Sequence, residues 1–191
     1  MNPVAFSTQR LILRSLRESD QDLYCRLFCD PDTMRYIGPQ WTRAEATRAF
    51  RGALKAMRTT PPRGLFLTVV HQDAQQPIGL CTLQNFDLPR RRAELGLMLV
   101  ASGRAYGAAT EALIAFIEHA FATLPFDELW VRFSADHAAA RHTALSGGLV
   151  RHTQATPEDL AANLSRWSAY RVSWRFPVRE EVSVRCSAAN D

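Results

Sequence analysis

The sequence predicts an α/β (α+β) domain built on a mixed, mostly antiparallel sheet with flanking helices, and three observations carry that prediction. Three stretches rich in β-formers, residues 65–70, 77–86 and 93–100, follow one another across short polar turns, the pattern of an antiparallel meander. A helical stretch over 109–123 and a strand over 125–133 come next, so the helix is the crossover that makes the last strand parallel to the one before it. With 191 residues, 47% of them hydrophobic and 22% charged, the chain has the size and composition of one globular domain with a full core.

The remaining elements each have a local signal. Residues 6–16 alternate Leu11, Leu13 and Leu16 with Arg10 and Arg14 and read as a first strand. Ser19 or Asp20 stands where a cap is needed for a helix whose Leu23, Tyr24, Leu27 and Phe28 fall at helical spacing and which ends at Asp30-Pro31. Thr42 opens a second helix over 43–57, with Glu45 at its third position completing a capping box. A short helix over 138–146 ends at Gly147-Gly148, a natural stop. Residues 165–175 alternate Trp167 and Ala169 against Ser168 and Tyr170 and read as a last strand pairing back. The domain is expected over 1–178, with 179–191 a polar tail.

The chain is organised around residues 94–121. An apolar strand runs into Ala101-Ser102-Gly103-Arg104-Ala105-Tyr106-Gly107-Ala108-Ala109-Thr110-Glu111, and a helix opens straight out of that turn. Gly107 is free to take a positive φ, while Gly103, Ala105, Ala108 and Ala109 carry too little side chain to hold a ligand off the backbone. Amides in such a turn point into one concavity, to which the helix adds its unpaired N–H groups and positive dipole end. The result is a socket for a phosphate or pyrophosphate; the plainer reading is a βα turn beside a well-capped helix. Neither G-x-G-x-x-G nor a Walker loop is present.

Arg104-x-x-Gly107-x-Ala109, between strand and helix, resembles the pyrophosphate loop of the GNAT superfamily of acyl-coenzyme A N-acyltransferases. Gly107-Ala108-Ala109-Thr110-Glu111-Ala112-Leu113 is similar to the Gly-Tyr-Ala-Thr-Glu-Ala-Leu of its ribosomal-protein N-terminal acetyltransferase (RimJ/RimL-type) branch. Thr8-Gln9-Arg10-Leu11-Ile12-Leu13-Arg14 and the linker Asp30-Pro31-Asp32-Thr33-Met34-Arg35-Tyr36-Ile37-Gly38-Pro39 resemble the same branch, so the likeness spans about residues 8–176. It implies a GNAT fold whose central parallel strands splay apart, and acetyl-CoA as cosubstrate. Pantetheine would pair with the backbone of Leu97, Met98 and Leu99, and Arg104, Ala105, Tyr106, Gly107, Ala108, Ala109 and Thr110 would hold the phosphates. The implied reaction moves an acetyl group directly to a primary amine, either a protein N-terminus or a small amine such as a polyamine or an aminoglycoside. A cofactor-binding module that regulates a partner without transfer is the alternative. Dimerisation is a family-level expectation, for which Trp167, Tyr170 and Trp174 serve equally as core.

Acetyl transfer needs an amine stripped of its proton and a stabilised oxyanion. Glu94 is the candidate base, sharing a strand face with Gly96 and Met98; Asp87 is the reserve, and Arg91 or Arg92 is the expected ion partner of Glu94 in the plainer structural reading. Aligned on Gly148-Leu149, the family's Asn and Tyr positions hold His137 and Ala144, so the tyrosine that protonates the thiolate in many members is absent. Either no side-chain acid is used, or His137, Thr143 or Ser146 substitutes; His137 is also a candidate cofactor contact. Glu111 reads as structural, an acid in the first turn of its helix.

Composition excludes several classes. The net charge of +4 comes almost wholly from arginine, Lys55 being the only lysine, and suits a polyanionic cofactor or an acidic partner but not specific nucleic-acid binding. Arg90-Arg91-Arg92 reads as a solvated hairpin tip, or as a rim contact to cofactor phosphates or an acidic substrate. No apolar run approaches the roughly 20 residues of a membrane span, and no secretory h-region opens the chain, so a soluble, cytoplasmic protein is expected. Cys25, Cys29, Cys81 and Cys186 have neither disulfide nor zinc spacing and read as free thiols, with no metal site.

Overall fold

The computed structural model describes residues 4–153 and 156–174. Strands β1 (Ala5–Ser7), β2 (Leu11–Ser15), β3 (Leu65–His71), β4 (Gln76–Asp87), β5 (Arg92–Leu99), β6 (Glu128–Ser134), β7 (Val150–Arg151) and β8 (Leu164–Tyr170) form one sheet in the order β1-β2-β3-β4-β5-β6-β8-β7. Among these residues every neighbouring pair is antiparallel except β5 and β6. The helices are α1 (Gln21–Phe28), α2 (Pro31–Met34), α3 (Arg43–Arg58), α4 (Ala108–Thr123), α5 (Ala138–Ser146) and α6 (Pro157–Ala161). The predicted α+β architecture, meander and crossover are all present.

Strand alternation sorts the core onto two faces of the sheet. On one, Ala112, Leu113, Phe116, Ile117 and Ala120 of α4 pack with Leu67, Cys81, Leu95 and Leu129. On the other, Leu23, Leu27 and Phe50 of α1 and α3 pack with Phe66 and Leu80, and Met98 joins them. The face of β5 that carries Glu94 and Gly96 is therefore the face covered by α1 and α3.

Several elements differ from expectation. The first strand is two, because residues 8–10 turn around a distant carboxylate: Glu111 accepts hydrogen bonds from the Thr8 hydroxyl at 2.5 Å, the Arg10 amide at 3.0 Å and the Arg10 guanidinium at 2.7 Å. Glu111 is structural as expected, but it clamps the β1–β2 turn instead of capping its own helix. Burial alone would raise its pKa; the Thr8 and Arg10 bonds outweigh burial and hold it below the usual range. Asp20 precedes α1 but its side chain makes no cap bond to it. It is buried, accepting from both Arg14 guanidinium nitrogens at 2.7 Å, the Arg17 amide at 2.8 Å and the Thr68 hydroxyl at 2.8 Å.

Thr42 and Glu45 form the predicted capping box of α3. Helix α2 lies in the stretch expected as linker; Asp30 caps it, its carboxylate accepting from the Thr33 amide at 2.8 Å. Strand β8 stops at Tyr170 and passes into a short 3-10 turn over Arg171–Ser173; Arg175, Cys186 and the tail 179–191 lie outside the described residues. Trp167 is buried and Trp174 meets Phe121 edge-on, so both serve the core.

Candidate active site

The register between β5 and β6 creates the cleft. Their parallel pairing covers Arg92↔Glu128, Ala93↔Leu129 and Glu94↔Trp130 and then stops, although β5 runs on to Leu99 and β6 to Ser134. From Glu94 onward the two strands part, leaving one backbone edge of Leu97, Met98 and Leu99 without a strand partner while their other edge stays paired to β4. The side chains there are core: Leu97 packs toward α4, Met98 toward α1 and α3, and Leu99 is buried.

At the wide end of the gap stands the predicted loop. After β5 the chain makes a 3-10 turn over Ala101–Gly103, then Tyr106 and Gly107 take φ of 56° and 76° before α4 begins. Gly103 passes so near Ile78 that a β-carbon would lie 2.8 Å from its Cβ, which pins the turn to β4. A β-carbon on Gly107 would meet nothing within 4 Å, so glycine there answers to the left-handed backbone and not to crowding. The amides of Ala105, Tyr106, Gly107, Ala109 and Thr110 donate to no protein acceptor among the described residues. Three free N–H groups ahead of a sixteen-residue helix and two more in its first turn are the kind of donors an anion socket would require.

Helix α2 and the residues after it strap this loop to the far wall. The Arg104 guanidinium donates to the Leu99 carbonyl at 3.0 Å and to the Thr33 hydroxyl at 2.7 Å. Tyr36 stacks on His137 with ring centroids 4.4 Å apart. His137 caps α5, its Nδ1 accepting from the Ala140 amide at 3.4 Å, which leaves Nε2 as the free nitrogen. Burial, with the nearby Arg104 charge, lowers its pKa and keeps the ring neutral at pH 7. Tyr106 is almost wholly exposed at the loop's tip, and Ala144 is buried in the α4 core, a methyl with no hydroxyl to offer.

Glu94 lies at the point of divergence, its side chain 23% exposed. Its partners are not Arg91 or Arg92. Asn85, in a bulge of β4 at φ 50°, donates to Glu94 Oε2 at 2.6 Å, and Arg132 of β6 stands 3.8 Å from Oε1. Arg91 pairs with Asp127 at 2.5 Å, while Arg90 and Arg92 pair with Asp87 at 3.3 and 3.0 Å. Desolvation would raise the Asp87 pKa, but the bonds from Arg90 and Arg92 outweigh it, and so committed an acid is a poor reserve base. Among the described residues no group of three or more His, Cys, Asp or Glu could hold a metal, and no helix is long and apolar enough to cross a membrane.

Comparison with known proteins gives the same architecture a family. Residues 10–150 match the acetyltransferase (GNAT) domain. An uncharacterized N-acetyltransferase p20 of Bacillus licheniformis is 25% identical over 123 residues, 64% of this chain and 68% of that protein. The ribosomal-protein-S5-alanine acetyltransferase of Vibrio fischeri superposes with a TM-score of 0.74 at 14% identity, covering 90% of this chain and 99% of that one. The spermidine N-acetyltransferase of Vibrio cholerae, solved with CoA and spermine, does so at 0.73 and 16% identity over 86% and 98%. The chain belongs to the GNAT acetyltransferase family. It is an N-acetyltransferase whose fold is shared by ribosomal-protein acetyltransferases.

Proposed function

We propose that this protein moves an acetyl group from acetyl-CoA directly to a primary amine in the cleft between β5 and β6, with Glu94 as base. The observation that carries the proposal is the pairing that ends at Glu94↔Trp130, which opens a strand-wide gap running from the carboxylate to the free amides of the loop. The free amides of Ala105, Tyr106, Gly107, Ala109 and Thr110 suit a pyrophosphate, and the unpaired edge of Leu97 to Leu99 suits the amide groups of an extended pantetheine arm. Bound acetyl-CoA supplies a thioester carbonyl. Glu94 takes the ammonium proton, directly or through a water, so that the amine lone pair can form the new C–N bond. An amide N–H of Leu97 or Met98 supports the charge on the carbonyl oxygen. The C–S bond then breaks, and the thiolate leaves with a proton from solvent or from the free Nε2–H of neutral His137.

Acetyl-CoA and coenzyme A are titrated calorimetrically into the wild type, Gly107→Trp and Glu94→Gln, and thiol release is followed with a panel of amines. The expected result is binding abolished by Gly107→Trp, and by Glu94→Gln a turnover loss of roughly 10²–10⁴-fold at unchanged acetyl-CoA affinity. Binding without turnover of any amine, unchanged by Glu94→Gln, would support a regulatory module instead. No binding to the folded wild type would reduce the loop to an ordinary βα turn.

A further inference from the structure

Beside Glu94, on the same sheet face, lies a group of charged side chains with unmet bonding capacity. Glu94 is in register with Trp130, and two residues along β6, Arg132 is in register with Arg166 of β8. Both guanidiniums lie against the Trp130 ring, their carbons 5.0 and 4.4 Å from its centre. Neither donates a hydrogen bond within the described residues, and Arg166 Nε is buried with no acceptor. Arg132 reaches Glu94 only at 3.8 Å and Asp159 of α6 only at 3.7 Å, both too far for a hydrogen bond. The Asp159 side chain is 3% exposed, and its Oδ1 has no donor.

Arg166 Nε and Asp159 Oδ1, each buried without a hydrogen-bond partner, are costly to leave unmet unless a ligand answers them, and Arg132, its side chain 39% exposed, stands 3.7 Å from that carboxylate. The occupant must carry both signs. A simple amine would answer Asp159 and Glu94 but leave two guanidiniums idle. A polycation would be pushed off by Arg132 and Arg166, and a plain anion by the carboxylates. Because Glu94 and Arg132 are only 3.8 Å apart, the two charges of the occupant must be neighbours. An ammonium and a carboxylate on one carbon satisfy that separation, and a planar guanidinium pair suits the carboxylate.

We propose that the acceptor is an α-amino acid: Arg132 and Arg166, held against Trp130, bind its carboxylate, while Asp159 and Glu94 receive its ammonium. This rests on the transfer reading above and narrows it. Arg132, which makes only long ion pairs to the two acids in the free protein, has its donors available for the incoming carboxylate, and engaging it leaves Glu94 to the amine.

The test compares wild-type thiol release with common L-amino acids, with the corresponding amino-acid amides and with tetrapeptides beginning in Asp; the coenzyme A-loaded protein is also titrated calorimetrically with the same compounds. At least one amino acid is expected to bind and turn over, with its amide roughly tenfold or more weaker in kcat/KM. Arg166→Met should raise KM for the acid roughly tenfold, leave that for the amide unchanged and leave acetyl-CoA affinity untouched. The wild-type comparison needs no variant to fold. Equal use of acids and amides, use of the Asp peptides alone, or no binding of any amino acid overturns the proposal. Normal acetyl-CoA binding with amine turnover indifferent to a carboxylate removes this inference alone, whereas absent acetyl-CoA binding removes the transfer reading with it.

Discussion

Asp20 joins more of the molecule than any local signal around it suggests. Its carboxylate ties Arg14 of β2, Thr68 of β3 and the amide of Arg17 together just where the chain enters α1. Burial alone would raise its pKa, but those bonds outweigh burial and hold it below the ordinary 3.8. Replacing one partner of a buried, hydrogen-bonded pair leaves the other charge stranded, so Asp20→Asn should cost about 3–5 kcal/mol of unfolding free energy at pH 7. The pH dependence follows from the direction of the shift. A carboxyl whose folded pKa is depressed contributes its full stability above 3.8 and loses it as pH falls through the lower folded value. The gap between wild type and Asp20→Asn in urea titrations should therefore be widest near neutrality and close in strong acid. A gap that does not narrow, or no gap at pH 7, would show the cluster to be dispensable.

At the scale of elements, what was legible in the sequence was what is specified locally. The turn from β5 into α4 announces itself because small residues and a glycine at a left-handed position are needed within a few residues of one another. The capping box of α3 is equally local. What escaped depends on partners far along the chain: the break between β1 and β2 is set by Glu111, 101 residues beyond Arg10. Strand β8 ends at Tyr170 because the Arg171 guanidinium turns to the carbonyls of Leu124 and Phe126, at 2.6 and 2.9 Å, closing the end of α4. Helices α2 and α6 and strand β7 are too short for any period to register. Glu94 was legible as a carboxylate on the right face, but its partners depend on the β4 bulge and on β6, which no local pattern reveals.

Helix α4 also carries a titratable group that no local pattern singles out. His119 is half-buried, stacks on Phe6 of β1 at 4.4 Å, and burial lowers its pKa from 6.5. Below about 6.5 the unfolded chain takes up a proton that the folded chain resists, so stability falls as pH drops through that value. His137, lowered by burial and by Arg104, acts in the same direction. His119→Phe keeps the stack without the proton, and should flatten the decline in melting temperature between pH 7 and 5. An unchanged slope would assign the decline elsewhere.

Across the whole molecule, the sheet separates two apolar cores that meet near the functional loop. Val100, the residue between β5 and the loop, packs against both. The loop is thus anchored at the seam where the α4 core and the α1/α3 core join, and not by either helix layer alone. If the sheet insulates the cores elsewhere, small cavities made in each should behave independently. Ile117 on the α4 side and Leu27 on the α1 side are both fully buried and belong to different clusters. Ile117→Val should cost about 0.5–1.5 kcal/mol and Leu27→Ala about 2–5 kcal/mol. Sites with no shared partners add to within about 0.5 kcal/mol, and the double variant should do so here. Val100→Ala touches both cores, so combining it with either cavity variant should deviate from additivity by more than that. It should also weaken acetyl-CoA binding, because loosening the seam lets the amides of the loop drift from the geometry that a pyrophosphate needs. Additive behaviour of Val100→Ala with both, at unchanged acetyl-CoA affinity, would mean that the loop holds its shape through Gly103 and Arg104 alone.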